Sequence, residues 1–217
     1  MMQTTVKGAV GPYRVASGVE SPIRLGQDSE TIVTELHGKY YESSLRGNVF
    51  HATMTAGVIF PAVAATAANV MTLANPAGSG KNVSLISFDM VVTTINATVA
   101  TGAYALNVNT NVIAAAVTGT AIVPVPALIG SNSLPVAKPL STSTIPAAPT
   151  IWWPFGYKET GGVVTALPIS GVSSFHIDFD GLGILSPGTC ITPQIIGTVD
   201  TTNATVLCAF RWEEISL

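Results

Sequence analysis

The sequence predicts an all-β chain: an antiparallel β-sandwich or jelly-roll-like domain preceded by an extended N-terminal arm. Three observations predict it. Thr, Val and Ile together number 67 of 217 residues, and all three favour strands. Apolar and polar residues alternate at period two through several segments after about residue 56, the pattern of strands with one buried face. Twenty Gly and 14 Pro punctuate the whole chain, which helix bundles and coiled coils do not tolerate.

The arm is read from charge. Residues 1–50 hold ten of the charged side chains and residues 51–217 the other eleven. The shift marks a boundary near Gly47 to Ala56, giving an arm at 1–50 and a sandwich at 51–217. The arm has few large apolar residues, so a chain starting near Ala52 is expected to fold. Within the arm, Thr31, Ile32, Val33 and Thr34 favour a short strand over a helix capped by Asp28 or Ser29.

The strands of the body follow in order. Ile86, Phe88, Met90 and Val92 alternate with Ser87, Asp89, Val91 and Thr93. Tyr104, Leu106 and Val108 alternate with Ala105, Asn107 and Asn109. Phe175, Ile177 and Phe179 alternate with His176, Asp178 and Asp180. Val206, Cys208, Phe210 and Trp212 alternate with Leu207, Ala209, Arg211 and Glu213. Turn signals separate them at residues 75–80, Asp180-Gly181, Ser186-Pro187-Gly188 and residues 200–203. Seven to nine strands are expected. Residues 121–155 break the pattern with seven of the fourteen prolines. They read as a long ordered excursion or an edge, because proline is nearly excluded from central strands.

Charge excludes several functions. Charged residues are 10% of the chain and the net charge is −3. No run of Lys or Arg exists to meet phosphates, so no nucleic-acid partner is expected. From Met90 to Ala137 no residue is charged. Asn, Thr, Gly and Pro interrupt that stretch too often for a membrane span, so no membrane partner is expected either. The first residues lack the basic head and apolar run of a secretion signal. Cys190 and Cys208 read as two small buried side chains, reduced in a cytosol.

Candidate chemistry is sparse. Gly78-Ser79-Gly80-Lys81 lacks the leading Gly and the following Ser or Thr of a phosphate loop, and reads as a hairpin turn. His176, Asp178 and Asp180 lie along one face of a strand, where ligands diverge rather than converge on one ion. Glu213 and Glu214 point to opposite faces. No Gly-x-Ser-x-Gly elbow occurs. The chain is therefore expected not to be an enzyme, with no cofactor and no metal. Trp152 and Trp153, in the aromatic cluster 152–157, are expected to divide between core and interface, with a sugar platform as the alternative. Arg24, Tyr40, Tyr41, Arg46 and Phe50 are the arm's candidate interface anchors, together with Trp152 and Trp153 on the body.

Three blocks carry a family resemblance. They are His37-Gly38-Lys39-Tyr40-Tyr41-Glu42 with Arg46-Gly47-Asn48-Val49-Phe50, then residues 75–81, then Pro187 to Leu217 with Phe210-Arg211-Trp212-Glu213-Glu214-Ile215. Together they resemble small structural proteins of tailed bacteriophages. The resemblance implies a virion protein assembled in the host cytoplasm, of the capsid cement or decoration type and often trimeric. It implies as partners the chain itself and the major capsid protein or other virion subunits. The charge-poor body independently favours association, since its faces offer little repulsion between copies. The rival expectation is a tail- or fibre-associated receptor-binding module using the Trp152 to Tyr157 region.

Overall fold

The computed structural model describes residues 8–9, 23–24, 38–59, 61, 65–95, 102–110, 116–158, 174–197 and 204–217. The chain divides into two compact units, residues 1–41 and 42–217. In the first, β1 (Gly8–Ala9) pairs in parallel with β2 (Ile23–Arg24). The strand expected at residues 31–34 lies outside the described residues, as does the turn expected at 200–203.

The second unit opens with a short helix, α1 (Tyr41–Leu45), whose first residue belongs to the preceding unit. Strands follow: β3 (Val49–Thr53), β4 (Val58–Ile59), β5 (Asn69–Asn75), β6 (Lys81–Ile95), β7 (Gly102–Asn109), β8 (Thr118–Ala121) and β9 (Val125–Pro126). The remainder are β10 (Lys138–Thr144), β11 (Thr150–Lys158), β12 (Ser174–Asp178), β13 (Ile184–Leu185), β14 (Thr189–Gly197) and β15 (Ala204–Ser216). Among the described residues nine strands have five residues or more.

Two antiparallel sheets pack face to face. One has the order β11-β7-β14-β5-β10-β8 and the other β12-β6-β15-β3-β9, with β13 also on β6 and β4 also on β15. The pairing is nested: β7 with β11, β6 with β12 and β13, β5 with β14. The three outer pairs fall in alternate sheets, β5 with β14 in the first, β6 with β12 and β13 in the second, and β7 with β11 in the first, as in a rolled antiparallel ribbon. That wrapping makes the sandwich jelly-roll-like. At the ribbon's tip β8 pairs with β10, and β10 continues outward to β5. Strand β15 adds the largest ladder, running along β6 from Ala204↔Ile95 to Ser216↔Lys81.

The period-two pattern decides which side chains fill the space between the sheets. Phe88, Met90 and Val92 of β6, Tyr104 and Leu106 of β7, and Val206, Cys208, Phe210 and Trp212 of β15 are all buried. Each strand presents alternate residues to one side, so the long alternations place whole columns of aromatic and aliphatic groups in a single core. Phe88 and Phe210 meet at 4.8 Å between ring centroids, and Phe155 of β11 reaches across to Phe88 at 5.5 Å.

The boundary differs from the sequence-based one. Val49–Thr53 is a strand of the sandwich, paired with β15 on one side and β9 on the other. Residues 42–50 therefore belong to the body, and the compact unit begins at Glu42 rather than residue 51. The charge step misplaced it because Glu42 and Arg46 lie on α1 and the turn after it, both side chains exposed, just before a buried strand. The turn at residues 75–80 is likewise not a hairpin: β5 and β6 lie in different sheets. Gly78 and Gly80, at φ of 73° and 70°, let the chain cross from one sheet to the other. Asn75 secures the crossing through its Nδ2, which donates to Lys81 O and Leu185 O, both at 2.8 Å.

The proline-rich stretch holds more strand than expected. Pro139 sits in β10, paired on both sides, and Pro154 sits in β11 at the sheet edge. The true excursion is residues 122–137, touching the second sheet through β9.

Candidate functional site

The excursion 122–137 is held by hydrogen bonds and by Ile122 and Ala137, which pack on the core at its two ends, while Val123, Ile129 and Leu134 face outward. Ala127 N–H donates to Val49 O at 2.8 Å and Ser131 N–H to Leu128 O at 3.0 Å. Ser133 Oγ donates to Gly47 O at 2.8 Å. At the return, Val136 N–H and Ala137 N–H both donate to Glu214 Oε1, at 2.8 and 2.9 Å. Glu214 Oε2 accepts from Lys81 Nζ at 3.0 Å, and the Glu214 side chain is wholly buried. A buried carboxylate needs several donors to offset its desolvation, and here it gets them from the excursion. On this frame Val123 is 81% exposed, Ile129 92% and Leu134 81%. Pro124, Pro126 and Pro135 restrict the backbone further.

A groove lies at the opposite edge of the sandwich. Trp152, Leu182, Ile184, Leu185 and Val108 line it, and its volume is about 390 Å³. Trp152 stacks on Phe179 at 5.9 Å and 18° while remaining 37% exposed. Gly183 makes room for it: a Cβ there would lie 2.9 Å from the Trp152 ring. Trp153 is half-buried against the core, so the two rings differ less in burial than a pair pointing to opposite faces would. They do not point cleanly apart, because the β11–β7 register shifts between Ile151 and Trp153. Both rings therefore meet Phe179, Trp153 edge-on at 6.0 Å.

A polar cluster occupies the outer face of the second sheet. His176 Nδ1 lies 2.6 Å from Asp89 Oδ1, and its Nε2 3.2 Å from Asp178 Oδ1. Arg211 Nη1 lies 3.3 Å from Asp89 Oδ2 and donates to Ser87 Oγ at 3.0 Å. With a carboxylate at each ring nitrogen, both nitrogens act as donors and the imidazolium is favoured. The hydrogen bond to Asp89 is the largest cause raising the His176 pKa above its usual value. A ring engaged on both sides has no nitrogen left to act as a base. Among the described residues no three His, Cys, Asp or Glu side chains are arranged to hold a metal, and no helix is long and apolar enough to cross a membrane.

The remaining candidate anchors fall in different places. Phe50 is a core residue, not an interface residue: it is 1% exposed and packs on Trp212 at 6.0 Å. Arg46 is exposed, 3.9 Å from Glu42, and lines a polar cleft of about 310 Å³ beside Glu213 and Ser216. Tyr41 is exposed and Tyr40 half-buried, with Lys39 Nζ 5.3 Å from the Tyr40 ring centroid. Arg24 lies on β2, and its side chain is outside the described residues. Sequence reasoning missed Val123, Ile129, Leu134, Leu182 and Glu214. The proline density did mark the segment that carries the first three. Nothing in the sequence distinguished Glu214 from Glu213.

No protein-family model and no curated protein sequence matches the chain. Among solved structures, a chain of the "KBV activated particle at acidic pH" aligns at a TM-score of 0.23 and 12% identity, covering 95% of this chain and 86% of that one. An overlap that low carries no argument about fold or role.

Proposed function

We propose that this chain is a non-enzymatic virion structural protein of a tailed bacteriophage, of the capsid cement or decoration type. It assembles in the host cytoplasm as a homotrimer and stabilises the shell by contacts with the major capsid protein or other virion subunits. One observation carries the reading: the excursion 122–137 holds Val123, Ile129 and Leu134 out into solvent on a hydrogen-bonded, proline-stiffened frame. Apolar groups kept exposed on a fixed backbone are suited to protein contacts, because little further ordering is needed on binding. The resemblance of the three sequence blocks to phage structural proteins supplies the habitat.

The test is a copy count on purified virions, with shell melting measured with and without the protein. Copies in the hundreds and a shell that melts at lower temperature without them are expected. Absence from the particle would overturn the reading. A handful of copies would favour the second reading, a tail or fibre receptor-binding module. That reading draws on Trp152, whose partly exposed ring lines the groove, and it expects glycan-array binding lost in Trp152→Ala.

A further inference from the structure

The excursion and the groove lie at opposite edges of the same sandwich. Strand β9, which lies within the excursion, ends the second sheet on one side. The groove is built from β11, which ends the first sheet, and from β13, on the far side of β6 from β15. Strands β11 and β12 close that edge together, with Phe155 against Phe175 at 5.8 Å. A projection on one edge and a recess on the other cannot meet within one copy.

We infer that the excursion of one copy, through Ile129 and Leu134, seats in the Trp152–Leu182–Ile184 groove of a second copy of this chain. The inference rests on the reading of the excursion as a protein-contact surface and names its partner. Chemistry matches on the two sides. Residues 122–137 contain no charged side chain, and neither does the groove lining. A charged or strongly polar partner would leave its own groups unpaired in such a recess. Size matches as well. An apolar cavity of ~150 Å³ holds a benzene, so a groove of about 390 Å³ accepts more than one aliphatic side chain. Both partners gain, since Ile129 and Leu134 are, with Val123, the most exposed aliphatics of the excursion, and Leu182 is 64% exposed in the groove.

A contact between two different patches is heterologous. It joins copies head to tail and closes into a ring where the rotation permits. It also makes a specific prediction about mixing. A copy with a spoiled projection keeps its groove, and a copy with a spoiled groove keeps its projection. Neither associates alone, yet the two together form one contact and stop.

The experiment uses the full chain, purified, in light scattering. Wild type is expected at a multiple of 22.3 kDa, undiminished in molar salt because no charge pair holds the contact. Ile129→Asp/Leu134→Asp and Leu182→Asp are each expected as monomers with wild-type melting, since all three positions are exposed. Mixed in equal amounts, they are expected to give a dimer. As a second measurement, Ile129→Cys and Leu182→Cys proteins mixed under mild oxidation are expected to cross-link as a heterodimer. The native Cys190 and Cys208 are buried and do not compete. A monomeric wild type, variants that keep wild-type mass, or a mixture that neither associates nor cross-links would each overturn the inference. None of these outcomes depends on virions, so a failure here is separate from a failure of the copy count.

Discussion

Glu214 and Lys81 form an ion pair of 3.0 Å in which the carboxylate is fully buried and the ammonium partly exposed. The pair joins the end of β15 to the start of β6 across the register Ser216↔Lys81. Because Glu214 also accepts from Val136 and Ala137, one side chain ties the long central ladder to the return of the excursion.

Replacing Glu214 by Ala should therefore act on both. It removes three charge-assisted bonds and leaves two backbone N–H groups without an acceptor. The expected loss is about 3 kcal/mol in urea unfolding, in the range for breaking a buried pair. Amide exchange at Val136 and Ala137 should rise well beyond the global effect. Lys81→Met leaves the carboxylate buried without its counter-charge and should also destabilise. Amide exchange at Val136 and Ala137 should then rise only with the global loss, because both still donate to Glu214. Exchange at those two amides that rises as far in Lys81→Met as in Glu214→Ala would show that the ion pair, rather than the excursion's backbone, is what Glu214 serves.

The thiols should be inert in the folded protein. Cys190 sits with Ala74 and Ile145, and Cys208 sits in the main core. Burial pushes the Cys190 thiol up to about 12 and raises that of Cys208 as well. The neutral thiol is thus favoured by folding. The folded state holds protons that the unfolded state releases above its ordinary value near 9, so this contribution fades as pH rises past that point. Labelling by a thiol reagent at neutral pH should proceed only through unfolding. Replacing both by Ala should lower the melting temperature by the same modest amount under oxidising and reducing conditions, through lost packing. A drop seen under oxidising conditions alone would reveal a disulfide.

His176 should lend the outer face a pH dependence of known sign. Its pKa is raised, first by the hydrogen bond to Asp89 and then by Asp178. Its stabilising contribution is fully present below the unfolded value near 6.5. It is lost as pH rises through the higher folded value. The ring is 51% exposed, so the effect is small and best read by NMR titration of the ring itself. Asp89→Asn should move that titration to lower pH, and His176→Gln should flatten the stability profile across the same range. A titration unmoved by Asp89→Asn would remove the ion pair as its cause.

Alternation recorded burial along β15, but not along β7, where Ala105 and Asn107 are as buried as Tyr104 and Leu106, nor along β5, whose seven residues are all buried. Phe88, Met90, Phe210 and Trp212 were assigned inward from period two alone, and each is buried. Register shifts were not legible. The bulge opposite Arg211 and Trp212 falls at Ile86 of β6, so Leu85 is buried while Ile86, expected on the same face as Phe88, Met90 and Val92, is only half-buried. The shift at Ile151 to Trp153 brings two neighbouring rings onto one phenylalanine, which strict alternation forbids. The nested pairing joins β6 to β12 and β5 to β14 over long separations, and no local signal specifies partners at such distances. The candidate surface was half legible. Prolines marked residues 121–155, but only pairing with β3 and the bonds to Glu214 distinguish the outward-facing 122–137 from the strands beyond it.

The start of the body gives the last prediction. Charge placed the boundary at residue 50, and on that basis a chain beginning near Ala52 would fold. The structure gives a different expectation. Phe50 lies opposite Trp212 in the β15–β3 ladder and contacts its ring. His51 pairs with Arg211 on one side and with Val125 on the other. Removing Val49 to His51 would strip β3 from between β15 and β9, open the core over Trp212 and free the anchor of the excursion. Phe50→Ala alone should cost about 3–5 kcal/mol, the usual loss for deleting a buried aromatic. A chain beginning at Glu42 keeps β3 whole and coincides with the start of the compact unit. It should melt cooperatively, with a midpoint close to that of the full chain. The two truncations, followed by circular dichroism and calorimetry, place the boundary directly. A cooperative transition in the chain from Ala52 would mean that the charge step, not the strand, marks where the domain begins.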